Sequence, residues 1–391
     1  LQLVDTFKAS LDPSVFKLYR RYLYSRYKAT DELAQPEVVH EKAKERLLKM
    51  AEKFRQNAHY FEPGEQLAVN VKGHRLAGPV GVAAGFDKNC DVLEPMSYVF
   101  GFLNPGSVLK DARAGNSQRP KSQTVRIAVD DEREAIVNAQ GYPHKGLGYA
   151  VRKLEKFRQG PKGNARILLN FSGITESYTE DAVLDSCDEI IRKTLPYVDF
   201  GFEENRTSPN TDFNKVLQTP AFTKKIIDLM NSLVPRDMIK ASKISPYNGL
   251  VPLDEERQSK LESIRIFCEN GGDAVVIGNT RPVDRSSVVG AKKFSRGIAG
   301  ESGRPLFPYM LKLVEDVHKA FPDLPIIACG GIFSGEDAWK AYEKGATLVS
   351  LYTALTFYGF GVVREIHEVL KKKLGDQTLQ DFLDKRDGHH H

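Results

Sequence analysis

Eight short apolar runs, each the length of a buried strand, recur between residues 79 and 354: "PVGVAAGF", "FGFLNPGSV", "ARILLNFSG", "YVDFGFEEN", "MIKASKIS", "DAVVIGNT", "PIIACGGI" and "TLVSLYTA". Most are separated by amphipathic segments of helical period, such as "DAVLDSCDEIIRKTL", "QSKLESIRIFCENGG" and "PYMLKLVEDVHKAF". A strand that is apolar on both faces belongs to a parallel sheet covered by helices, and strands alternating with helices are how a chain builds one. Eight such units in roughly 300 residues predict an α/β fold of the closed (β/α)8, or TIM-barrel, type. An open doubly wound sheet is the alternative that the rhythm alone leaves standing.

In a parallel barrel the chemistry collects where the strands end. Gly85, Phe86, Asp87 and Lys88 follow the first run; Gly106 and Ser107 follow the second; the third ends at Asn170. The fourth ends at Asn205 and runs on into Ser208-Pro209-Asn210-Thr211. The fifth carries Lys243, the sixth gives Asn279 and Thr280, the seventh Gly330 and Gly331, and the eighth Tyr352 and Thr353. Neutral hydrogen-bonding side chains at so many ends of one barrel describe a polar pocket. The densest stretch, "NRTSPNT" at 205–211, suits either a surface turn or the floor of a pocket that grips a flat, polar, anionic molecule.

Two glycine-rich stretches flank the seventh strand, "AGESG" (299–303) and "GGIFSGEDA" (330–338). Glycine lets backbone N–H groups approach phosphate oxygens, and barrels often hold a phosphate after strands seven and eight. Neither stretch has the G-x-G-x-x-G spacing of a dinucleotide fold. Lys88 and Lys243 lie in or beside runs that should be buried, and a buried ammonium needs an anionic partner; a phosphorylated redox ring such as a reduced flavin, charged near N1 and O2, would supply one. His144, in "GYPHKG", reads as a solvated loop residue.

Upstream, "PSVFKLYRRYLYSRYKA" and "PEVVHEKAKERLLKMAEKF" have helical period with one apolar side and many Lys, Arg and Tyr. "EQLAVNVKGHRLAGPVGVA" alternates around Lys72-Gly73 as a hairpin does. The expected organisation is a helical extension over 1–62, a barrel over 63–388 with a capping hairpin, and a tag remnant at 389–391. A net charge of +5 spread without a basic, aromatic-studded helix gives no nucleic-acid footprint. Four separated cysteines, with no C-x-x-C pair, point to a reducing compartment and not to zinc or a disulfide framework. No run approaches the ~20 apolar residues of a membrane span. The chain starts without Met, so a targeting or anchoring segment is expected to be missing.

Together, "PVGVAAGFDKN", "GSV" with "GN" downstream, "AIVNAQGY", "NRTSPNT", "KISP", "GNT", "GESGRPL", "ACGGIFSGEDA" and "GATLVSLYTALTFYG" resemble the class 2, quinone-dependent dihydroorotate dehydrogenases, in order and spacing, from about residue 76 to about residue 373. The serine before Pro209 is the class 2 pattern. The resemblance implies an FMN enzyme that oxidises dihydroorotate to orotate and passes electrons to ubiquinone through a slot under the N-terminal helices, which meet a membrane surface. It implies the mitochondrial inner membrane, or else a bacterial cytoplasmic membrane. Ser208 would be the base, with Thr211 assisting, and Lys243 would stabilise reduced flavin. Lys88, Asn138, Asn205, Asn210, Asn279 and Thr280 would hold substrate. Ala84, Gly85, Ser107, Asn170, Lys243, Gly300, Gly303, Gly330, Gly331, Tyr352 and Thr353 would hold FMN and its phosphate.

The chain departs from that pattern in four places. Glu203-Glu204 replaces apolar residues before Asn205, with an apparent one-residue insertion; inward-pointing carboxylates there would weaken binding of an anionic substrate. Asp212-Phe213-Asn214 replaces Gly-Leu-Arg after "SPNT", Ala139-Gln140 replaces Arg-Tyr, and Leu109-Lys110 replaces Thr-Pro. A divergent paralogue that keeps FMN but has changed or lost its substrate, with a binding or assembly role, is the second reading of these departures.

Overall fold

The structure, a computed structural model, describes residues 11–26, 35–116, 126–174, 179–209, 217–287 and 297–388 of the 391. All eight apolar runs form strands: β1 Val80–Val82, β2 Phe102–Leu103, β3 Arg166–Phe171, β4 Gly201–Glu204, β5 Ile239–Ile244, β6 Ala274–Ile277, β7 Ile326–Cys329 and β8 Leu348–Leu351. Each pairs in parallel with its neighbours in sequence, and β8 pairs with β1, so the sheet closes. Closure excludes the open sheet and sets all eight C-terminal ends on one rim.

The helices between strands follow from local chemistry. The helices Glu180–Thr194, Pro220–Leu233 and Gly335–Glu343 each begin after a Thr or Ser whose hydroxyl accepts a backbone N–H of the first turn: Thr179, Thr219 and Ser334. Their apolar faces, including Ile190, Ile227 and Ala338, pack on the outside of the sheet at 0% exposure. The predicted hairpin forms from Val69–Val71 and His74–Leu76. Lys72 and Gly73 turn it at φ +50° and +84°, the paired positive values that a two-residue hairpin turn of matching twist requires. It closes the N-terminal end of the barrel: the His74 ring sits edge-on to Phe200 at 5.5 Å, and the Arg75 carbonyl accepts from Arg166.

Over the opposite rim lies a four-stranded antiparallel sheet that the rhythm of the sequence does not announce. It is ordered Arg281–Asp284, Ile298–Gly303, Ala135–Asn138, Ile127–Asp130. "AGESG" is therefore a strand, not a glycine turn, because its backbone pairs with Ala135–Asn138 on one side and Arg281–Asp284 on the other. The N-terminal helices are α1 Pro13–Arg26 and α2 Gln35–Lys49. Charge ties both to the barrel side of the molecule, through Arg20–Asp131 at 2.5 Å, Arg126–Glu37 at 2.9 Å and Lys44–Asp91 at 3.1 Å. The next segment enters the main core: Phe54 stacks on Phe61 and meets Phe360 edge-on at 5.4 Å. Among the described residues no helix is long and apolar enough to cross a membrane.

Alternation along β4 sorts the two unexpected glutamates. Gly201–Glu204 pairs residue for residue with both β3 and β5, so no bulge absorbs an extra residue there. Glu203 faces the barrel interior. Glu204 faces the helices, where it accepts a short hydrogen bond from Ser242 and pairs with Arg206 at 3.4 Å. Burial pushes the Glu204 carboxyl up, against the pull of Arg206 and Ser242. Removing one member of a buried pair strands the other. Arg206→Met should therefore cost about 3 kcal/mol at pH 8. Since a raised carboxyl binds its proton more readily in the folded state, that loss should shrink as pH falls to 5. Urea unfolding at the two pH values checks this, and an equal loss at both would assign the effect to the packing of the Arg206 guanidinium over the Phe222 ring, 5.9 Å away.

Candidate active site

The strand ends enclose a cleft of about 1140 Å³ between the barrel rim and the antiparallel sheet. Its wall includes Ala84, Gly85, Lys88, Ser107, Asn138, Asn205, Ser208, Lys243, Asn279, Thr280, Gly303, Gly330, Gly331, Tyr352 and Thr353. Asn170, at 0% exposure, is the last residue but one of β3, in register with Glu203, and stands behind the wall of the cleft. Gly300 does not reach the wall; its carbonyl accepts from the Asn138 amide at 3.3 Å and so orients that side chain. Asn210 and Thr211 lie outside the described residues.

The asparagines form one network. Asn205 Nδ2 donates to Ser107 Oγ at 3.0 Å, joining the ends of β2 and β4. Asn279 Nδ2 donates to Thr207 Oγ1 at 3.1 Å and to Asn205 Oδ1 at 3.3 Å, joining β4 to β6. The backbone N–H of Thr280 donates to Asn279 Oδ1 at 2.8 Å. Each amide is thus held by part of its capacity and keeps the rest for a ligand. Of "NRTSPNT", Asn205 and Ser208 stand on the wall of the cleft.

Two lysines approach this ring differently. Lys88 Nζ donates to the Gly85 carbonyl at 2.8 Å. Burial, with Lys44 nearby, brings its ammonium down to about 8. Lys243 is 4% exposed, and its Nζ lies 3.1 Å from Glu203 Oε1. Burial alone would push this ammonium down; Glu203, Cys329 and Tyr142 more than offset it and hold it above the usual lysine value. Glu203 therefore does point inward, but as the counter-ion of Lys243 beneath the cleft and not as a free charge facing it.

At the other end of the cleft are the glycines of β7. Gly331 has φ +71°, and a Cβ there would stand 2.5 Å from the Phe307 nitrogen, so only glycine lets the backbone approach. Thr353 Oγ1 bonds Ser302 Oγ at 3.0 Å beside it. Sequence reasoning missed Ser302, Tyr142 and Cys329, all on the wall. The first two come from insertions outside the barrel rhythm, and Cys329 reads as an ordinary core cysteine. It also misplaced His144, which is 5% exposed: its Nδ1 accepts from the Gly146 N–H at 2.9 Å, and burial lowers its imidazole to about 4.

A second, mostly apolar cavity of about 1110 Å³ lies between α1, α2 and the barrel, lined by Phe16, Tyr19, Leu23, Val39, His40 and Leu47 among others. Ile127, Ile136 and Tyr352 line both cavities. Phe86 bridges across, edge-on to Tyr352 at 5.7 Å and to His40 at 6.2 Å. Burial, reinforced by Lys88 and Lys44, takes the His40 imidazole down to about 3, so it is neutral at physiological pH.

The fold is thus a closed parallel barrel in which a polar, amide-ringed cleft shares a wall with an apolar chamber. Residues 66–374 match the family described as dihydroorotate dehydrogenase. The chain is 30% identical over 330 residues to the mitochondrial dihydroorotate dehydrogenase (quinone) of Mus musculus, covering 83% of this chain and 80% of that protein. It is 32% identical over 311 residues to the dihydroorotate dehydrogenase (quinone) of Marinomonas sp. (strain MWYL1), covering 76% and 82%. Among solved structures, the ligand-free DHODH of Eimeria tenella aligns with TM-score 0.69 at 26% identity, covering 88% of this chain and 98% of that one. The chain belongs to the dihydroorotate dehydrogenase family of oxidoreductases, in its quinone-dependent class.

Lys88 gives this site a pH signature. Its ammonium is charged below about 8 and neutral above. Affinity for a planar carboxylate ligand such as orotate should be flat below pH 7.5 and fall up to about tenfold per pH unit above 8.5. Lys88→Met should bind weakly with no such step. Calorimetric titration across pH 6.5–9.5 checks both, and a wild-type curve without the step would show that Lys88 does not meet the anion.

Proposed function

We propose that this chain oxidises (S)-dihydroorotate to orotate in pyrimidine biosynthesis, with FMN as the hydride acceptor and ubiquinone as the final electron acceptor. The observation that carries the reading is the joined amide network of Asn205, Asn279 and Ser107 facing Lys243 and the Gly330-Gly331 turn in one cleft. The residues fit FMN. Both amide atoms of Asn170 are buried without a partner, as expected of a side chain built to hold a ligand. The Gly331 backbone and the Ser302–Thr353 pair suit a phosphate, and Lys243 suits the N1–O2 edge of the ring. FMN, when bound, supplies two-electron acceptance from a C–H bond and onward transfer in single-electron steps.

The chain's own groups do the rest. Asn138, Asn205 and Asn279 orient the pyrimidine through its amide edges, and Lys88 meets its carboxylate. Ser208 takes the proton from C5. A serine is a weak base, so it hands that proton to an acceptor at once, the role open to a water or to Thr211. Phe86, Ile127, Ile136 and Tyr352 keep water from passing between the cavities, while aromatic contact gives electrons a short route from one to the other. The apolar chamber under α1 and α2 suits a quinone, supported by the neutral state of His40. Leu18, 63% exposed on α1, and the basic, aromatic character of that helix support contact with a membrane surface. Relatives named mitochondrial support the inner mitochondrial membrane, and bacterial quinone enzymes in the same family support a bacterial membrane as the alternative.

Protein isolated with FMN should be yellow, bleach under anaerobic dihydroorotate and recolour with a short-chain quinone. Flavin that stays oxidised would favour the divergent paralogue, to which Ala139-Gln140 gives a chemical basis. A colourless preparation that takes up no FMN would overturn the flavin reading. Ser208→Ala should slow bleaching about 10²-fold while leaving FMN bound; unchanged stopped-flow traces would remove Ser208 from the mechanism. Deleting residues 1–34, and α1 with them, should abolish quinone turnover but spare an artificial acceptor, and equal loss of both would sink the chamber assignment.

A further inference from the structure

Below the cleft the barrel interior is mostly apolar, with Asn104 and Ser350 as neutral polar groups and Glu203 as its acid among the described residues. Glu203 is 0% exposed on β4 and packs there among Phe102, Leu168, Val276, Ile327, Asn104 and Ser350. Lys243 lies among the same residues and also on the wall of the cleft. The order from the core outward is therefore carboxylate, ammonium, cleft. Glu203 Oε1 accepts from Lys243 Nζ at 3.1 Å, and Oε2 is buried with no hydrogen-bond partner. Among the described residues, the pair with Lys243 is the ion pair that Glu203 makes.

A lone ammonium facing a ring that gains negative charge on reduction favours the reduced form by direct attraction, and strongly so in a dry site. An ammonium with a carboxylate bonded behind it presents a dipole instead, whose field falls off faster and whose net charge is zero. Glu203 is held there by burial and by Lys243. The sequence pattern of the family has apolar residues at this place, so the carboxylate is a feature of this chain and not a requirement of the barrel.

We propose that Glu203 is a positioning residue for the redox step: by pairing with Lys243 it lowers the reduction potential of the bound flavin below the value that Lys243 alone would set. The pair makes the flavin a stronger reductant toward a quinone and a weaker hydride acceptor from the pyrimidine, so it shifts the balance between the two half-reactions. This rests on the FMN reading of the cleft.

The test uses FMN-loaded wild type, Glu203→Gln and Glu203→Val, the last carrying the apolar type of residue that the barrel accepts at this place. Two readouts apply: the two-electron potential by dye equilibration, and the dissociation constant of sulfite, whose adduct at flavin N5 is stabilised by positive charge near N1. Removing the carboxylate should move the oxidised-to-reduced equilibrium at least tenfold toward reduced, an upward shift of about 30 mV or more for a two-electron couple. Sulfite should bind at least tenfold tighter. In a Lys243→Met background, Glu203→Gln should change neither. The proposal is overturned by potentials and sulfite affinities within twofold of wild type in both single variants, by a downward shift, or by the same shift without Lys243. If one variant does not fold, the other decides. If the wild type takes up no FMN, the functional reading fails and this inference with it; if it binds FMN and the variants match it, the inference alone fails.

Discussion

A parallel strand has unpaired hydrogen-bonding groups on both edges, and closing β8 onto β1 removes both edges of the sheet at once. Everything else in this molecule depends on that closure. It sets eight C-terminal strand ends on one rim, which is why residues as far apart in sequence as Ser107, Asn205 and Asn279 meet within hydrogen-bond distance. It also forces inward-facing side chains into a closed interior, where a charge survives only with a partner. Lys243 and Glu203 are the consequence.

The upper side of the rim is built by insertions and not by the barrel. The antiparallel sheet brings Asn138 over the cleft and positions it through the Gly300 carbonyl. Its other strand residues Ile127 and Ile136, with Tyr352 from the barrel, make a thin wall toward the apolar chamber under α1 and α2. The polar cleft and the apolar chamber are thereby separated by about one layer of side chains. Ion pairs from Glu37 and Lys44 on α2 hold the roof of that chamber against the barrel side.

Much of this was legible in the sequence, for a physical reason. A strand buried on both faces has to be apolar, so the eight runs stood out, and the residues just after them had to share the rim. Cap residues such as Thr179 and Ser334 follow an equally local rule. What was not legible depended on contacts between distant segments. "AGESG" looks like a glycine turn until it is seen paired with Ala135–Asn138. His144 looks like a loop residue until burial is known. Glu203 and Glu204 look alike in sequence and are opposite in role, because alternation along β4 sends one to Lys243 and the other to Arg206. The neighbouring departures at 212–214 lie outside the described residues.

The central claim is that one cleft holds a flavin and a pyrimidine in contact, gripped by neutral amides and flanked by two lysines. A crystal structure of the FMN-loaded protein with orotate tests it most directly. The account predicts orotate stacked on the flavin ring, its edges bonded to Asn138, Asn205 and Asn279 and its carboxylate at Lys88, with the phosphate at Gly331. Orotate bound elsewhere, or a ring system outside this cleft, would contradict it.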